Sequence, residues 1–347
     1  MDTKIVNIDK LQIDEDIINE AAKIINSGGV VAFPTETVYG LGANGLDENA
    51  VKKIYIAKER PQDNPLILHV SSKEEVIPLV KGISEVAYSC MDKFWPGPLT
   101  LIFNRSEIVP NIITGGLDSV AIRMPNNEIA LKLIKESGTP IAAPSANTSG
   151  SPSPTRANHV IEDLNGKIDM IIDGGSTEVG LESTILDLTG QVPSILRPGG
   201  ITMEQLREII PNIIVDVTEI SEFQTPKSPG QKYRHYSPVA ELLIFEGEVN
   251  NISKAINKKA IELMADGQKV GIMATEETKE EYPEGYVIVV GSREKRETIA
   301  SNLFTAIRLF DKAQIDIILA EGIEMDNIGT AIMNRLVKAA SGKVIKV

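Results

Sequence analysis

The chain holds one cysteine in 347 residues, Cys90. A single thiol excludes a disulfide framework and any cysteine-based zinc site. Cys90 sits in an apolar helical pattern with Val86, Ala87 and Met91, and reads as packing. Aromatic residues are few, at 4%. No run of 18 apolar residues occurs, so no membrane-spanning helix is expected. The first ten residues, MDTKIVNIDK, contain no apolar signal region, which points to a cytoplasmic protein. Basic residues are also short: 35 Lys and Arg stand against 48 Asp and Glu, a net charge of −13. Residues 1–220 carry 18 cationic and 30 acidic side chains, the opposite of a nucleic-acid-binding surface. Local clusters of Lys and Arg must therefore serve a small anion or a limited patch. GxxxxGK[ST] is absent, which excludes a P-loop. GxSxG is absent too, and His69, His159 and His235 stand in unrelated contexts, so a Ser-His-Asp hydrolase is not expected. The acidic residues form no dense metal-ligand cluster.

What is present begins at Val30–Val70, VVAFPTETVYGLGANGLDENAVKKIYIAKERPQDNPLILHV. Val30–Phe33 is a short apolar run closed by Pro34, as for a buried strand. Thr35-Glu36-Thr37 is small and polar, and Gly40, Gly42 and Gly45 read as open backbone. Asp47 caps a helix with Ala50, Val51, Ile54 and Tyr55 at helical spacing. It ends in Lys58-Glu59-Arg60-Pro61, and Leu66–Val70 returns as a strand. On an isolated helix, Lys58 and Arg60 would only complement the dipole. Strand-end hydroxyls and His69 around them argue instead for a cleft.

Asp14–Ser27 is an amphipathic helix ended by Gly28-Gly29. Residues 73–80 and 84–94 read as two helices. Leu99–Phe103 and Ser119–Arg123 read as strands, Asn127–Ser137 as a helix, and Pro140–Ala143 as a strand that opens into a Ser/Pro-rich loop. Beyond it come a helix near 156–163, strands at 169–173, 184–188 and 194–197, and a helix at 203–209. Strands that follow one another without a helix between them indicate a mixed sheet. Residues 218–238 are polar, rich in proline and without a period. Tyr233, Arg234, His235 and Tyr236 are too many functional side chains for a passive spacer, so a loop folded over a site is expected. From Ala240 strands and helices alternate: strands at 242–245, 270–273, 286–290 and 315–319, helices at 251–265, 294–310 and 328–340. That grammar indicates a small three-layer, mostly parallel α/β domain. Gly271 and Gly291 form no GxGxxG, so no dinucleotide site is assigned.

PTETVYGLG, the KERP loop and NPLILHV resemble the signature of the YrdC-like threonylcarbamoyl-adenylate synthases. The resemblance continues in family order through KFWPGPLTLIF (93–103), VAIRMP (120–125), APSANTSGSPSPT (143–155), ESTILDL (182–188) and ILRPGGI (195–201). SPGQKYRHYSP (228–238) resembles the linker of the long, two-domain form. The resemblance implies a catalytic YrdC-like α/β domain over 1–217, a mixed twisted sheet with helices packed on it. A linker or active-site lid over 218–238 and a smaller Rossmann-like three-layer α/β domain over 239–347 would follow.

It also implies a reaction without a covalent nucleophile. The threonine amine takes up carbon dioxide from bicarbonate, and the carbamate attacks the α-phosphorus of ATP. Pyrophosphate leaves and threonylcarbamoyl-AMP remains. Such chemistry rests on positioning and on charge neutralisation, with Mg²⁺ carried largely by the nucleotide. By the same resemblance, Thr35, His69, Arg123, the Ala143 backbone and Ser183 would bind L-threonine. Arg123 would clamp the carboxylate. Lys58, Arg60, Ser119, Ser145, Asn147, Ser153, Arg197 and Tyr233 would bind ATP, with the three cations on the phosphates. The product would pass to a threonylcarbamoyl transferase complex acting on tRNA, without direct tRNA binding by this chain. Two rival readings are a double-stranded RNA binder, opposed by the acidic balance, and a carbamoyltransferase of the hydrogenase-maturation type, whose zinc modules one cysteine cannot build.

Overall fold

A computed structural model describes residues 2–216, 225–233 and 235–347. Part of the expected lid, residues 218–224 and Arg234, lies outside the described residues. The chain divides into two compact units, one of residues 1–149 and 153–233, the other of residues 150–152 and 234–347.

The first unit contains β1 (Lys4–Asn7), α1 (Glu15–Asn26), β2 (Val31–Phe33), β3 (Gly40–Asn44), α2 (Glu48–Lys58), β4 (Ile67–His69), α3 (Glu85–Phe94) and β5 (Leu99–Asn104). It continues with α4 (Asn111–Thr114), β6 (Ser119–Arg123), α5 (Glu128–Ser137), β7 (Ile141–Ala142), α6 (Ala157–Leu164), β8 (Met170–Asp173), β9 (Thr184–Asp187), β10 (Ser194–Arg197), α7 (Met203–Arg207) and β11 (Ile214–Val215). Its strands form one mixed sheet in the order β1-β8-β2-β3-β7-β4-β6-β5-β9-β10-β11. Asp47 caps α2 as the sequence predicts, and Asp14 and Asn127 do the same for α1 and α5: each side chain accepts backbone N–H groups at the helix start.

Two local readings are corrected. Residues 40–44 are not open backbone but a buried strand, antiparallel to β2. Its glycines make room for neighbours, since a Cβ on Gly42 would lie 2.6 Å from the Phe33 ring and 2.7 Å from Ile141. The expected helix at 73–80 is a 3₁₀ segment, Glu74–Leu79, with Pro78 inside it. Proline has no N–H to donate there, and the tighter turn accommodates it.

Alternation across the strands separates two faces. Leu68, Leu101, Phe103, Val120, Ile122 and Leu186 belong to the main core, which also holds Ile54 and Tyr55 of α2, Cys90 and Met91 of α3 and Val160 of α6. On the opposite face, residues of α1 and α5 pack over Val31, Phe33, Ile141, Met170 and Ile172. Across β4, β6, β5, β9 and β10 that face carries a separate small apolar patch of Ile67, Ile102, Ala121, Ile185 and Leu196. The registers Ile67↔Ala121, Ile102↔Ala121 and Thr100↔Ile185 align it.

The second unit contains β12 (Glu241–Glu246), α8 (Val249–Ala265), β13 (Val270–Ala274), β14 (Tyr286–Val289), α9 (Arg296–Lys312), β15 (Ile317–Glu321), α10 (Ile328–Ala339) and β16 (Val344–Lys346). All its strand pairs are parallel, in the order β14-β13-β15-β12-β16. Ile252, Ile256 and Ala260 of α8 pack on Phe245, Ile272 and Leu319. Phe310 of α9 lies against Gly271 on the other face, where a Cβ would be 2.6 Å from its ring. Helices on both faces make the unit three-layered.

Candidate active site

Strand register builds the centre of the site. His69 of β4 and Thr100 of β5 both pair with Arg123, the last residue of β6. The three side chains therefore share the face that carries the small apolar patch, at one end of it. Arg123 is buried. Its Nε donates to the Gly97 carbonyl at 3.3 Å and its Nη1 to Thr37 Oγ1 at 2.9 Å. Its Nη2 lies 2.5 Å from Glu36 Oε2. That separation is an ion pair, yet its alignment falls outside hydrogen-bond geometry: neither Glu36 carboxylate oxygen has a hydrogen-bond donor among the described residues.

The turn after β2 is ordered by its own hydroxyls. Thr35 Oγ1 donates to the Val38 carbonyl at 2.6 Å, so in its 2.9 Å contact with Thr37 it must accept. Thr37 thus passes the polarisation from Arg123 to Thr35. The Glu36 carbonyl accepts from Glu178 and Val179 N–H, which pins the turn from the other side.

His69 is fully enclosed. Burial first, and the Arg123 charge second, push its imidazole down to about 3. Its Nδ1 lies 3.2 Å from the Ile67 carbonyl. A carbonyl can only accept, so a neutral ring that keeps this contact carries its proton on Nδ1. Ala143 is buried beside it, its N–H donating to the same Ile67 carbonyl at 3.0 Å.

Ser183 precedes β9. Its Oγ contacts Thr100 Oγ1 at 2.7 Å. Arg197, ending β10, donates from Nε and Nη2 to the Ser183 carbonyl at 3.1 and 3.0 Å, and from Nη2 to Ser183 Oγ at 3.1 Å. Thr100 thereby links the Arg123 and Arg197 regions. At the preceding position Glu182 accepts from Ser153 Oγ at 2.5 Å. Lys58, at the end of α2, is buried and donates to the carbonyls of Ser145 and Asn147. Ser145 Oγ bonds Asn147 Oδ1 at 2.5 Å. Arg60 donates to the Asn64 and Pro65 carbonyls at 3.3 and 3.0 Å.

Residues 225–233 are tied to the first unit at two places. Lys227 Nζ reaches Asp187 Oδ2 at 3.0 Å, and Asp187 pairs with Ile102 of the apolar patch. Lys232 Nζ reaches Asp63 Oδ2 at 2.8 Å, and the Tyr233 hydroxyl donates to Asp63 Oδ1. Burial raises the Asp63 carboxyl, but the hydrogen bonds from Lys232 and Tyr233 outweigh it and hold it below its usual range.

Thr35, His69, Arg123, Ala143 and Ser183 thus gather around the ends of β4, β5 and β6. Lys58, Ser145 and Asn147 form a neighbouring hydrogen-bonded group. Arg197 joins the first set through Ser183. Arg60 and Tyr233 both engage the loop after α2, at Asn64–Pro65 and Asp63. Ser119 stands apart, at the opposite end of β6 from Arg123, paired with Asn104. Sequence reasoning passed over Glu36, Thr37, Asp63, Thr100 and Glu182. The signal for Glu36 was a lone acid flanked by Pro34 and Val38 at a buried strand end.

Two family models cover the chain. One, described as "Telomere recombination" and spanning the Sua5, YciO and YrdC proteins, matches residues 23–199, and "Threonylcarbamoyl-AMP synthase, C-terminal domain" matches 201–341. The chain is 50% identical over 346 residues to the threonylcarbamoyl-AMP synthase of Pyrococcus abyssi, covering 99% of this chain and all of that one. The chain belongs to the threonylcarbamoyl-AMP synthase family. The Bacillus subtilis member is 48% identical over 97% of both chains. The crystal structure of P. abyssi Sua5 complexed with L-threonine superposes with a TM-score of 0.95, at 50% identity, over 99% of this chain and all of that chain.

Proposed function

We propose that this protein is an L-threonylcarbamoyladenylate synthase, a nucleotidyltransferase that converts L-threonine, bicarbonate and ATP into threonylcarbamoyl-AMP and pyrophosphate. The observation that carries this reading is the end-to-end match to a synthase solved with L-threonine. In this reading Arg123 takes the threonine carboxylate, which is the bidentate partner a guanidinium fits best. His69 offers Nε2 as an acceptor for the threonine hydroxyl, and Thr35, the Ala143 backbone and Ser183 close that pocket. Lys58, Arg60 and Arg197 neutralise the phosphates as the carbamate oxygen attacks the α-phosphorus. Their hydrogen bonds to the carbonyls of Ser145, Asn147, Asn64, Pro65 and Ser183 fix their positions. Ser119, Ser145, Asn147 and Ser153 contribute short polar contacts to the nucleotide, and Tyr233 reaches it from the 225–233 segment. Water exclusion by that segment protects the mixed anhydride.

Among the described residues no group of three or more His, Cys, Asp or Glu side chains is arranged to hold a metal. In the proposed reaction magnesium enters with ATP, as part of the MgATP substrate. No described helix is long and apolar enough to cross a membrane. We place the protein in the cytoplasm, handing its product to a threonylcarbamoyl transferase that acts on tRNA. The test is incubation with ATP, threonine and bicarbonate. Pyrophosphate and the adenylate should appear together by mass spectrometry, and both should vanish when threonine is omitted. Pyrophosphate release independent of threonine would refute the reading.

A further inference from the structure

We infer that Glu36 receives the α-ammonium group of the amino acid whose carboxylate goes to Arg123. This rests on the threonine-binding reading above and adds a residue to it. Glu36 and Arg123 side chains are only 4% and 5% exposed, and they touch at 2.5 Å. Yet Arg123 Nη2 and both Glu36 oxygens lack an aligned hydrogen-bond partner among the described residues. Buried charged groups almost always have such partners, so this pair is a ready acceptor for a ligand that supplies them.

The ligand's chemistry follows from the charges. Arg123 Nη2 wants an acceptor and Glu36 wants a donor. A zwitterion carries a carboxylate and an ammonium on one carbon, at the spacing of an Arg–Glu contact. Its insertion turns one unaligned ion pair into two charge-assisted ones with no change in net charge. A bare carboxylate would do worse. It would displace Glu36 from Arg123 and strand a buried anion, which is strongly unfavourable. The Glu36 backbone is held in place by the N–H groups of Glu178 and Val179 on its carbonyl, so a side-chain rotation alone opens the pair to the ligand. The amine is the group that becomes a carbamate, so Glu36 orients the reacting nitrogen.

Calorimetry on the full-length protein tests this with two probes, L-threonine and 3-hydroxybutyrate, which keeps the carboxylate and hydroxyl but lacks the amine. Wild type should prefer threonine by about tenfold or more, the scale of one charge-assisted bond. Glu36→Gln should lose about tenfold in threonine affinity and lose nothing in 3-hydroxybutyrate affinity. An unchanged or tighter threonine affinity in Glu36→Gln would overturn the assignment, leaving Glu36 as a competitor for Arg123. Equal losses for both probes would overturn it as well, because Glu36 would then act only by positioning Arg123. Trp95 fluorescence reports folding of the variant. Should the glutamine variant fail to fold, Glu36→Asp carries the test: it should keep the preference for threonine, and a lost preference refutes the inference. Threonine binding without adenylate formation would sink the proposed activity while leaving the Glu36 result readable.

Discussion

Lowering the pH from 7 to 5 should destabilise the first unit through His69. The ring is enclosed, flanked by Arg123, and held neutral down to about pH 3. In the unfolded chain the same imidazole titrates near its ordinary value of about 6.5. The folded pKa lies below the unfolded one, so between these values the unfolded state binds the extra proton. Stability from this group is complete above pH 6.5 and is lost as pH falls. For one site the loss between pH 7 and 5 is about 2 kcal/mol. At a urea slope of about 3 kcal/mol per molar, suited to a unit of this size, the midpoint falls by about 0.7 M. The chain's one tryptophan, Trp95, is buried in this unit and donates from Nε1 to the Leu99 carbonyl at 2.7 Å. Its fluorescence therefore isolates the unit's transition. His69→Asn, which retains a donor for the Ile67 carbonyl, should show a midpoint shift smaller by that amount. Parallel pH dependence in wild type and variant would mean that His69 is solvated or charged in the fold, and its role as a neutral acceptor would fail with it.

Arg123→Ala should lower threonine affinity at least about tenfold with little change for ATP, as the loss of a charge-assisted contact requires. It should also destabilise the first unit by about 3–5 kcal/mol, because Glu36 remains buried without its cation; unchanged calorimetry with threonine would remove Arg123 from the site. Substituting Lys58, Arg60 or Arg197 by Met should weaken ATP binding and flatten its salt dependence. Intact nucleotide affinity in all three would refute their grouping. Threonine and ATP together should slow proteolysis within 222–238, and Tyr233→Phe or Asp63→Asn should hasten it by breaking the tie to Asp63. A chain ending near residue 220 should keep the Trp95 transition but lose most adenylate formation; normal turnover would make the segment a spacer.

Most of the architecture was legible because periodicity and caps acted locally. Asp14, Asp47 and Asn127 start helices where the sequence places them. The alternation of strand and helix after Ala240 yields a parallel sheet. β3 was not legible, because its glycines are selected by what packs on them, Phe33 and Ile141, and a glycine-rich string has no strand period of its own. β1, β11 and β16, of four, two and three residues, are too short to carry a period. In the site, residues at the ends of apolar runs stood out: Arg123 after VAI, His69 after LIL, Arg197 after SIL. Thr100 did not, since a threonine inside LTLIF is ordinary strand composition. Only its register opposite Arg123, and the contact with Ser183, give it a place. Glu36 was hidden among small polar residues that read as a turn.

The acidic balance and the cationic site are compatible for a reason that composition alone could not supply. Surface carboxylates such as Glu20, Glu178 and Glu208 lie in water, where their effect fades within a Debye length of about 8 Å at physiological salt. Lys58, Arg60, Arg123 and Arg197 are buried in the fold, where the effective dielectric is lower and each charge acts more strongly on what comes near. A duplex or single strand, which meets only the outer surface, is expected to be repelled by it. A small anion that enters between the strand ends and the 225–233 segment meets the buried cations instead. Net charge thus selects against polyanions, and burial selects for a phosphate or carboxylate small enough to leave the solvent. The tie between Lys227 and Asp187 brings residues 225–233 beside the apolar patch, and on the proposed reading that segment shields the site from water.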